Sequence, residues 1–211
     1  MSKAKIACLV SGGGTNLGAL IKAQQDGILT SGEIKLVISS KADAYALVRA
    51  ENAGIKTAVA VKKELGSQEA FENEIKKLLK ENDIDLIILA GFMTILSADF
   101  TKDYPDRIIN VHPALIPSFC GKGAYGLKVH EMALEYGVKV TGATVHFVSE
   151  ECDGGPIIAQ KAVPVMENDT PETLQRRIME QAEWKLLPEA VSLFCQGRLT
   201  VEGRTVMIKE N

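Results

Sequence analysis

The sequence lacks the features by which chains enter membranes or bind nucleic acids through bulk charge. No apolar stretch reaches the length of about 18 residues at which a membrane-spanning helix is expected. The opening letters, Met-Ser-Lys-Ala-Lys, lead into a predicted strand rather than into an apolar signal segment. The net charge of −3 provides no general basic field. We therefore expect a cytoplasmic protein that binds neither membranes nor nucleic acids.

Cysteine and histidine are also scarce, which disfavours a disulfide framework and a metal cluster. The chain has three histidines, and its cysteines form no Cys-x-x-Cys pair and stand at no metal-ligand spacing with a histidine. We expect reduced thiols and no bound metal. The cysteines are Cys8, Cys120, Cys152 and Cys195.

Hydrophobic periodicity indicates an α/β fold. Short apolar runs at residues 5–10, 34–38, 57–61 and 85–90 alternate with segments of helical period, such as Gln68–Glu81. A chain of 211 residues, 46% of them hydrophobic, has enough material for one domain with a sizeable core. Strand–helix alternation predicts a Rossmann-like, mostly parallel twisted sheet with flanking helices.

The second half of the chain departs from this alternation. Residues 139–148 and 156–165 are predicted to be two strands that pair through the turn between them. Thr170-Pro171-Glu172 is typical of a helix start. We expect Pro188 to kink or divide the helix that follows, and Gly197 to end it. Residues 199–208 predict a small hairpin.

A glycine-rich loop, Ser11-Gly-Gly-Gly-Thr-Asn16, joins the first strand to the first helix. Glycines let backbone N–H groups approach an oxygen-rich ligand, and a helix N-terminus adds unpaired donors. The loop therefore predicts a phosphate ligand. The loop does not fit a dinucleotide fingerprint, because Leu17 stands where the third glycine belongs. The alternative is a tight turn in which Thr15 or Asn16 caps the helix.

Polar residues close an otherwise apolar strand at Ile108–His112. Asn110 and His112 point to the same face, and Pro113 then breaks the ladder. Ligands usually sit at the carboxyl ends of such strands. The turn Asp153-Gly-Gly-Pro156 adds a carboxylate. Simpler roles remain open: a core histidine, a turn-capping asparagine and an ordinary turn aspartate.

Six motifs in order together resemble the phosphoribosylglycinamide formyltransferases, within the wider folate-dependent formyltransferase superfamily. The resemblance runs from about Ile6 to Leu199. The motifs are Ser11-Gly-Gly-Gly-Thr-Asn16, Ala90-Gly-Phe-Met-Thr-Ile-Leu96, Asn110-Val-His-Pro113, Leu115-Ile-Pro117 with Phe119, Gly142-Ala-Thr-Val-His146-Phe-Val148 and Asp153-Gly-Gly-Pro156.

The resemblance implies a role for each motif. A catalytic set, a nucleotide site and a folate pocket would lie in one domain, with residues 1–100 forming the nucleotide and phosphate half and residues 101–211 the folate and catalytic half. Gln68 stands where the family often has an arginine that helps to hold folate. The catalytic set would be Asn110, His112 and Asp153, with His146 beside it; Gly14, Thr15, Asn16 and Glu183 would bind the nucleotide; Met93, Thr94, Ile95, Leu96, Gln68 and Asn110 would bind the folate.

The implied reaction transfers the formyl group of 10-formyltetrahydrofolate to the amine of glycinamide ribonucleotide, a step of de novo purine synthesis. The amine would attack directly, without a covalent enzyme intermediate or a metal. The Asn110 amide and a ring N–H of His112 would stabilise the oxyanion, and Asp153 would assist proton transfer. The partners would be these two small molecules, in a monomer or a homodimer.

Other functions and simpler structural roles remain open. The same set occurs in formyltetrahydrofolate deformylases and methionyl-tRNA formyltransferases, and a non-catalytic phosphate-ligand sensor would need only the glycine loop. His146 is expected in a strand, where its simpler role is a bond to a neighbour, and His130 is expected on an exposed, inert helix face. Glu183 would then be a solvated helix charge, and Met93, Ile95 and Leu96 plain core.

Overall fold

The computed structural model describes residues 2–210, and nine strands of this range form one sheet in the order β3-β2-β1-β4-β5-β6-β7-β9-β8. The first five strands run parallel, whereas β6 and β7 are antiparallel to their predecessors and β8 pairs with β9 as a hairpin. The strands are β1 Ala4–Val10, β2 Gly32–Ser39, β3 Lys56–Val59, β4 Leu86–Leu89, β5 Ile108–His112, β6 Val140–Phe147, β7 Ile157–Pro164, β8 Leu199–Glu202 and β9 Thr205–Ile208.

Helices cover both faces of this sheet. Two short ones, α3 and α5, follow β3 and β4 and have too few residues to show a period in the sequence. In the described range, no helix is both long and apolar enough to cross a bilayer. The helices are α1 Thr15–Gln25, α2 Tyr45–Asn52, α3 Lys62–Leu65, α4 Gln68–Glu81, α5 Ala98–Lys102, α6 Leu127–Tyr136, α7 Pro171–Ile178 and α8 Trp184–Cys195.

The core has one apolar layer on each face of the sheet, which confirms the expected α/β class. Alternate residues of β1 divide between the two: Ile6, Cys8 and Val10 belong to the larger layer, and Ala7 and Leu9 to the smaller. All five are fully buried. A strand buried on both faces is the signature of a parallel sheet between helix layers.

The long C-terminal helix is interrupted, but not where Pro188 predicts. Met179–Glu183 form a π-helical turn between α7 and α8, and Pro188 lies inside α8 without dividing it. The expected division of the helix at Pro188 is therefore wrong. The π turn has already displaced the hydrogen-bond register just ahead of α8, so the missing N–H of the proline is accommodated in the helix that follows. Gly197 follows the end of α8 with a φ of 68°, as expected.

The order in which strands are added to the sheet reverses between β1 and β4, which are parallel neighbours. From β1 the sheet grows outward to β2 and β3 on one side, and to β4 and β5 on the other. At such a point the loops after neighbouring strands separate and leave a crevice at the carboxyl edge of the sheet. The glycine loop after β1, the segment after β4 and the end of β5 all open onto that edge.

Candidate active site

Two of the crevice loops are joined by Ser11, the residue directly after β1. Its hydroxyl accepts a hydrogen bond from the Met93 backbone N–H at 2.9 Å and shares another with the Ser40 hydroxyl at 2.7 Å. Ser11 is 3% exposed, so this contact is shielded from water. It sets the position of the 91–97 segment relative to the glycine loop. Sequence inspection gave Ser11 no such role, because the contact crosses between distant parts of the chain.

Asn110 and His146 face each other across the β5–β6 pair. The Phe147 carbonyl accepts a hydrogen bond from His146 Nδ1 at 2.8 Å, so the neutral ring has a free lone pair on Nε2. Asn110 Nδ2 lies 3.1 Å from that Nε2 and donates to it. This contact fixes the orientation of the Asn110 amide and leaves its second N–H available. His146 thus acts through a direct bond to Asn110.

His112 lies at the end of the same strand and is 4% exposed. Its Nε2 donates to the Phe119 carbonyl at 2.9 Å, so Nδ1 is the lone-pair nitrogen of the neutral ring. Burial lowers the pKa of His112, and the nearby Asp153 carboxylate opposes that change. The ring N–H expected to face an oxyanion is therefore engaged by Phe119 in this conformation. His112 instead presents an acceptor nitrogen towards Asp153.

The Asp153 carboxylate reaches both histidines from a distant turn. Its oxygens lie 3.6 Å from His112 Nδ1 and 3.7 Å from His146 Nε2, and it also accepts a bond from the Gly121 N–H at 2.9 Å. Burial by itself raises the pKa of Asp153. The histidines, which favour the carboxylate when a facing ring nitrogen carries a proton, and the Gly121 N–H outweigh burial and lower the pKa. The carboxylate is consequently ionised at neutral pH and half-buried.

The turn that holds Asp153 depends on its glycines. Asp153 has a φ of 55°, in the left-handed region that aspartate tolerates better than most residues. A Cβ at Gly155 would lie 1.8 Å from the Phe147 carbonyl oxygen, so only glycine fits there. The close approach packs the turn against the end of β6. It thereby brings the carboxylate over the two histidines.

The glycine loop leads into α1 through Gly14, which has a φ of 69°. Within residues 2–210 no side chain caps this helix, so the alternative in which Thr15 or Asn16 is the cap is wrong. Thr15 Oγ1 instead donates to Met179 Sδ at 3.7 Å, and Asn16 Nδ2 donates to Glu183 Oε2 at 2.7 Å. The first-turn N–H groups are left without a capping side chain, as an anion site requires.

Glu183 is buried, which contradicts the simpler view of it as a solvated helix charge. It is 6% exposed at the end of the π turn, and burial raises its pKa to about 7, with the Asn16 amide opposing the change. Asn16 is 8% exposed, and its Oδ1 atom has no hydrogen-bond partner within the described part of the chain. An unpartnered buried amide oxygen beside an open loop is a typical place for a ligand donor.

The 93–96 segment presents apolar side chains to solvent. Met93 is 48% and Ile95 is 59% exposed, whereas Leu96 is buried in the smaller core layer. Core packing is the simpler role expected for Met93, Ile95 and Leu96, and only Leu96 has it. Gln68 Nε2 donates to the Ile95 carbonyl at 3.1 Å and to Glu72 Oε1 at 2.5 Å. Gln68 therefore holds this segment in place through its backbone.

The expectation that His130 is exposed is wrong. It is 1% exposed, and next to it Val129 packs against Ala114 and Ala124 of the 113–126 loop. Both ring nitrogens lack a hydrogen-bond partner within residues 2–210. Burial, with a smaller effect of the neighbouring His112, lowers the pKa of His130 to about 4. The bounds of α6 agree with the sequence prediction, whereas the burial of His130 depends on tertiary packing.

The expected catalytic residues thus converge, and the expected ligand residues follow neighbouring strands at the same edge of the sheet. Asn110, His112, His146 and Asp153 meet at the end of β5, and the glycine loop and the 93–96 segment follow β1 and β4 at the same edge of the sheet. Within residues 2–210, no group of three or more His, Cys, Asp or Glu side chains is arranged to hold a metal ion. An oriented amide N–H, an acceptor imidazole and an ionised carboxylate can together stabilise developing negative charge and accept a proton.

Comparison with known proteins gives a consistent result. The sequence family described as formyl transferase matches residues 4–191. Phosphoribosylglycinamide formyltransferase of Escherichia coli K12 is 40% identical over 194 residues, which cover 92% of this chain and 88% of that protein. The structure of glycinamide ribonucleotide transformylase 1 from Symbiobacterium toebii superposes with a TM-score of 0.92 at 43% identity, covering 99% of this chain and 95% of that one.

Longer relatives contain this sequence as one part. The trifunctional purine biosynthetic protein adenosine-3 of Gallus gallus is 47% identical over 200 residues, which cover 95% of this chain but 19% of that protein. The chain therefore spans about a fifth of the length of that relative.

Proposed function

This chain belongs to the formyl transferase family, and we propose that it transfers the formyl group of 10-formyltetrahydrofolate to the amine of glycinamide ribonucleotide in purine biosynthesis. The family membership supports formyl transfer, and the names of the relatives support this acceptor. The observation that carries the mechanism is the approach of Asp153 to within 3.6 Å of His112 Nδ1, beside the oriented Asn110 amide. Asn110 and His112 belong to β5, whereas Asp153 comes from a turn that is distant in the sequence.

The 93–96 segment fits the folate co-substrate. A pterin ring is flat, largely apolar on its faces and rich in hydrogen-bonding groups at its edge. The exposed Met93 and Ile95 side chains offer apolar contact, and the backbone of the segment, held by Ser11 and Gln68, offers fixed donors and acceptors. When bound, 10-formyltetrahydrofolate supplies the formyl carbon as an activated amide.

The glycine loop fits the phosphate of the nucleotide. Gly12, Gly13 and Thr15 are exposed, and the first turn of α1 follows with its N–H groups directed outward. The unpartnered Asn16 Oδ1 can accept a hydrogen bond from a hydroxyl or amine of the nucleotide, and Glu183 lies directly behind Asn16. We assign the phosphate to Gly14, Thr15 and Asn16, and nucleotide hydroxyl or amine contacts to the Asn16–Glu183 pair.

The catalytic residues divide the work of amine attack on the formyl carbon. Asn110 donates its free amide N–H to the formyl oxygen as negative charge develops there, an effect worth about 3–4 kcal/mol for one well-placed donor. His112 Nδ1 and the Asp153 carboxylate together accept the proton that the amine loses. They return a proton to the folate nitrogen as its bond to the formyl carbon breaks, which releases tetrahydrofolate. Once protonated, His112 is stabilised by the carboxylate 3.6 Å away. His146 keeps the Asn110 amide in the orientation this requires.

A direct assay tests the proposal. The purified protein should consume 10-formyltetrahydrofolate only when glycinamide ribonucleotide is present, and it should yield the formylated nucleotide in equal amount. Folate consumption without an amine would indicate a deformylase instead, and formylation of charged initiator tRNA would indicate the tRNA-directed enzyme. A correctly folded protein with no nucleotide-dependent turnover would remove the proposal.

A further inference from the structure

The glycine loop contains no cation for the phosphate that the proposed function places there. No lysine or arginine lies between Ser11 and Leu17 in the sequence. A phosphate monoester carries nearly two negative charges at neutral pH, and backbone N–H groups supply only partial charges against them. Enzymes commonly complete such sites with an arginine, whose planar fork matches phosphate oxygens. The cation must therefore come from another element.

Arg49, on α2, is bonded directly to the loop. Its Nε donates to the Gly13 carbonyl at 2.8 Å, while the Ala46 N–H of the same helix donates to the Gly12 carbonyl at 3.0 Å. Both bonds hold loop carbonyls against α2. With those carbonyls turned towards α2, the N–H groups around Gly14 are left to face the open side of the loop.

Close packing keeps α2 and the loop in register. A Cβ at Gly14 would lie 2.6 Å from the Ala46 Cβ atom and 3.6 Å from the Arg49 Cδ atom. The guanidinium lies 5.0 Å from the centre of the Tyr45 ring, a cation–π distance. The Arg49 stem is thus pressed against the loop, and its head is supported by an aromatic face.

The Arg49 guanidinium also lies near the N-terminus of α1, where the helix dipole repels a cation unless an anion is bound. A Cβ at Gly18 would be 3.5 Å from Arg49 Nη1, which places the guanidinium over the first turn of α1, at the positive end of the helix dipole. No ion pair of the described residues involves Arg49. Arg49 and Thr15 line one open cleft of about 600 Å³ between α1 and α8.

We propose that Arg49 holds the phosphate loop in its binding conformation through the Gly13 carbonyl and supplies, through its remaining guanidinium N–H groups, the positive charge for the substrate's phosphate. This inference rests on the proposed function and deepens it. Arg49 is a positioning residue for Gly13 and Gly14 and a specificity residue for the phosphorylated acceptor. It takes no part in the chemical step at Asn110, His112 and Asp153.

The test compares phosphorylated and dephosphorylated acceptors. In Arg49→Met, KM for glycinamide ribonucleotide should rise by about 30-fold with little change in kcat, the size expected for a lost charge-assisted contact. Turnover of the dephosphorylated glycinamide riboside should be the same in the wild type and the variant. Arg49→Lys keeps the charge but loses the fork, so its KM should lie between the two.

Matched controls separate this role from a structural one. Lys22→Met removes a cation from the same cleft, where Lys22 is paired with Asp26 at 2.8 Å, and should leave the ratio of the two acceptors unchanged. Ribose 5-phosphate binding, measured by calorimetry, should weaken in Arg49→Met and give the same answer without turnover. Equal losses with both acceptors, or no loss with either, would overturn the inference. If Arg49→Met does not fold, Arg49→Lys must show the phosphate-selective loss.

The two proposals fail in different ways. Absence of nucleotide-dependent formyl transfer in the wild type would remove the proposed function whatever Arg49 does. Normal transfer by the wild type, with unchanged acceptor preference in both Arg49 variants, would remove only the role of Arg49.

Discussion

Asn16 Nδ2 donates to Glu183 Oε2 at 2.7 Å, and this buried bond joins the first turn of α1 to the π turn ahead of α8. The two residues are far apart in sequence, yet both belong to the nucleotide side of the crevice. The carboxyl group is poised near neutral pH, because burial raises its pKa to about 7. Glu183 therefore changes its charge state near neutral pH.

Glu183→Gln should alter the pH dependence of stability. Glu183 has a folded pKa of about 7 and an ordinary value of 4.5, so the folded chain binds more protons than the unfolded chain between those values. Its stabilising contribution is therefore present below pH 4.5 and is lost as pH rises through 7. Glutamine keeps the acceptor for Asn16 without the charge. Relative to the wild type, the variant should gain about 2 kcal/mol in unfolding free energy between pH 5 and pH 8.

Urea unfolding at the two pH values provides the measurement. Glu180→Gln, in the same π turn but exposed, is the matched control, and its unfolding free energy should depend on pH as that of the wild type does. Parallel pH profiles for Glu183→Gln and the wild type would contradict a buried, titrating carboxyl.

His130→Leu should have the opposite pH signature. His130 has a folded pKa of about 4 against an ordinary 6.5, so the unfolded chain binds more protons between those values. The unfolding free energy of the wild type is therefore highest above pH 6.5, and it decreases as pH falls towards 4. Leucine removes this dependence and leaves no orphaned ring nitrogen, so the variant should gain about 2 kcal/mol on the wild type between pH 7 and pH 5. Thermal or urea unfolding at both pH values would show it, and an identical acid sensitivity would rule it out.

Asp153→Asn should abolish most of the turnover while the nucleotide still binds. Asparagine keeps the size of the side chain but cannot accept the proton or stabilise protonated His112, so kcat should fall by about 100- to 10,000-fold. Steady-state kinetics and nucleotide calorimetry give the two readouts. Glu150→Gln, an exposed acid ahead of the same turn, should retain wild-type kinetics. A fully active Asp153→Asn enzyme would show that the carboxylate has another task.

Gln68→Ala should act on the folate side alone. The substitution removes the bonds from Gln68 to the Ile95 carbonyl and to buried Glu72, and so loosens the 93–96 segment. We expect KM for 10-formyltetrahydrofolate to rise about 10-fold, as for the loss of about 1–1.5 kcal/mol, with KM for the nucleotide unchanged. Glu69→Gln, the exposed neighbour on α4, provides the control. A fall in kcat with both KM values preserved would contradict this role.

Cys152 should be the thiol through which alkylation inactivates the protein. It is exposed and its Sγ lies 3.8 Å from Asp153 Oδ2, whereas burial raises the pKa values of Cys8 and Cys195 to about 12. Burial and the Asp153 charge also raise the pKa of Cys152, so the reaction should be slow at pH 7 and faster at pH 9. Peptide mapping after iodoacetamide treatment locates the adduct. Cys152→Ala should resist inactivation; equal sensitivity would place the damage elsewhere.

Local sequence signals located most elements, and two helices and the central polar strand have the predicted bounds. Gln68–Glu81, Leu127–Tyr136 and Ile108–His112 each combine a clear period with a defined stop. The π turn at Met179–Glu183 was not foreseen, because its register change depends on packing against the sheet rather than on a local breaker such as Pro188. The short α3 and α5 helices carry too few residues to establish a period.

The sequence by itself determined the fold class and the identity of the polar residues at the sheet's carboxyl edge, since periodicity and turn chemistry are local properties of the chain. Only the tertiary structure decided how those residues are used. Tertiary packing buries His130, the Phe119 carbonyl accepts a hydrogen bond from the ring N–H of His112, and the π turn brings Glu183 into contact with Asn16. Such contacts join segments far apart along the chain, and their geometry follows from close packing of the whole domain rather than from any short motif.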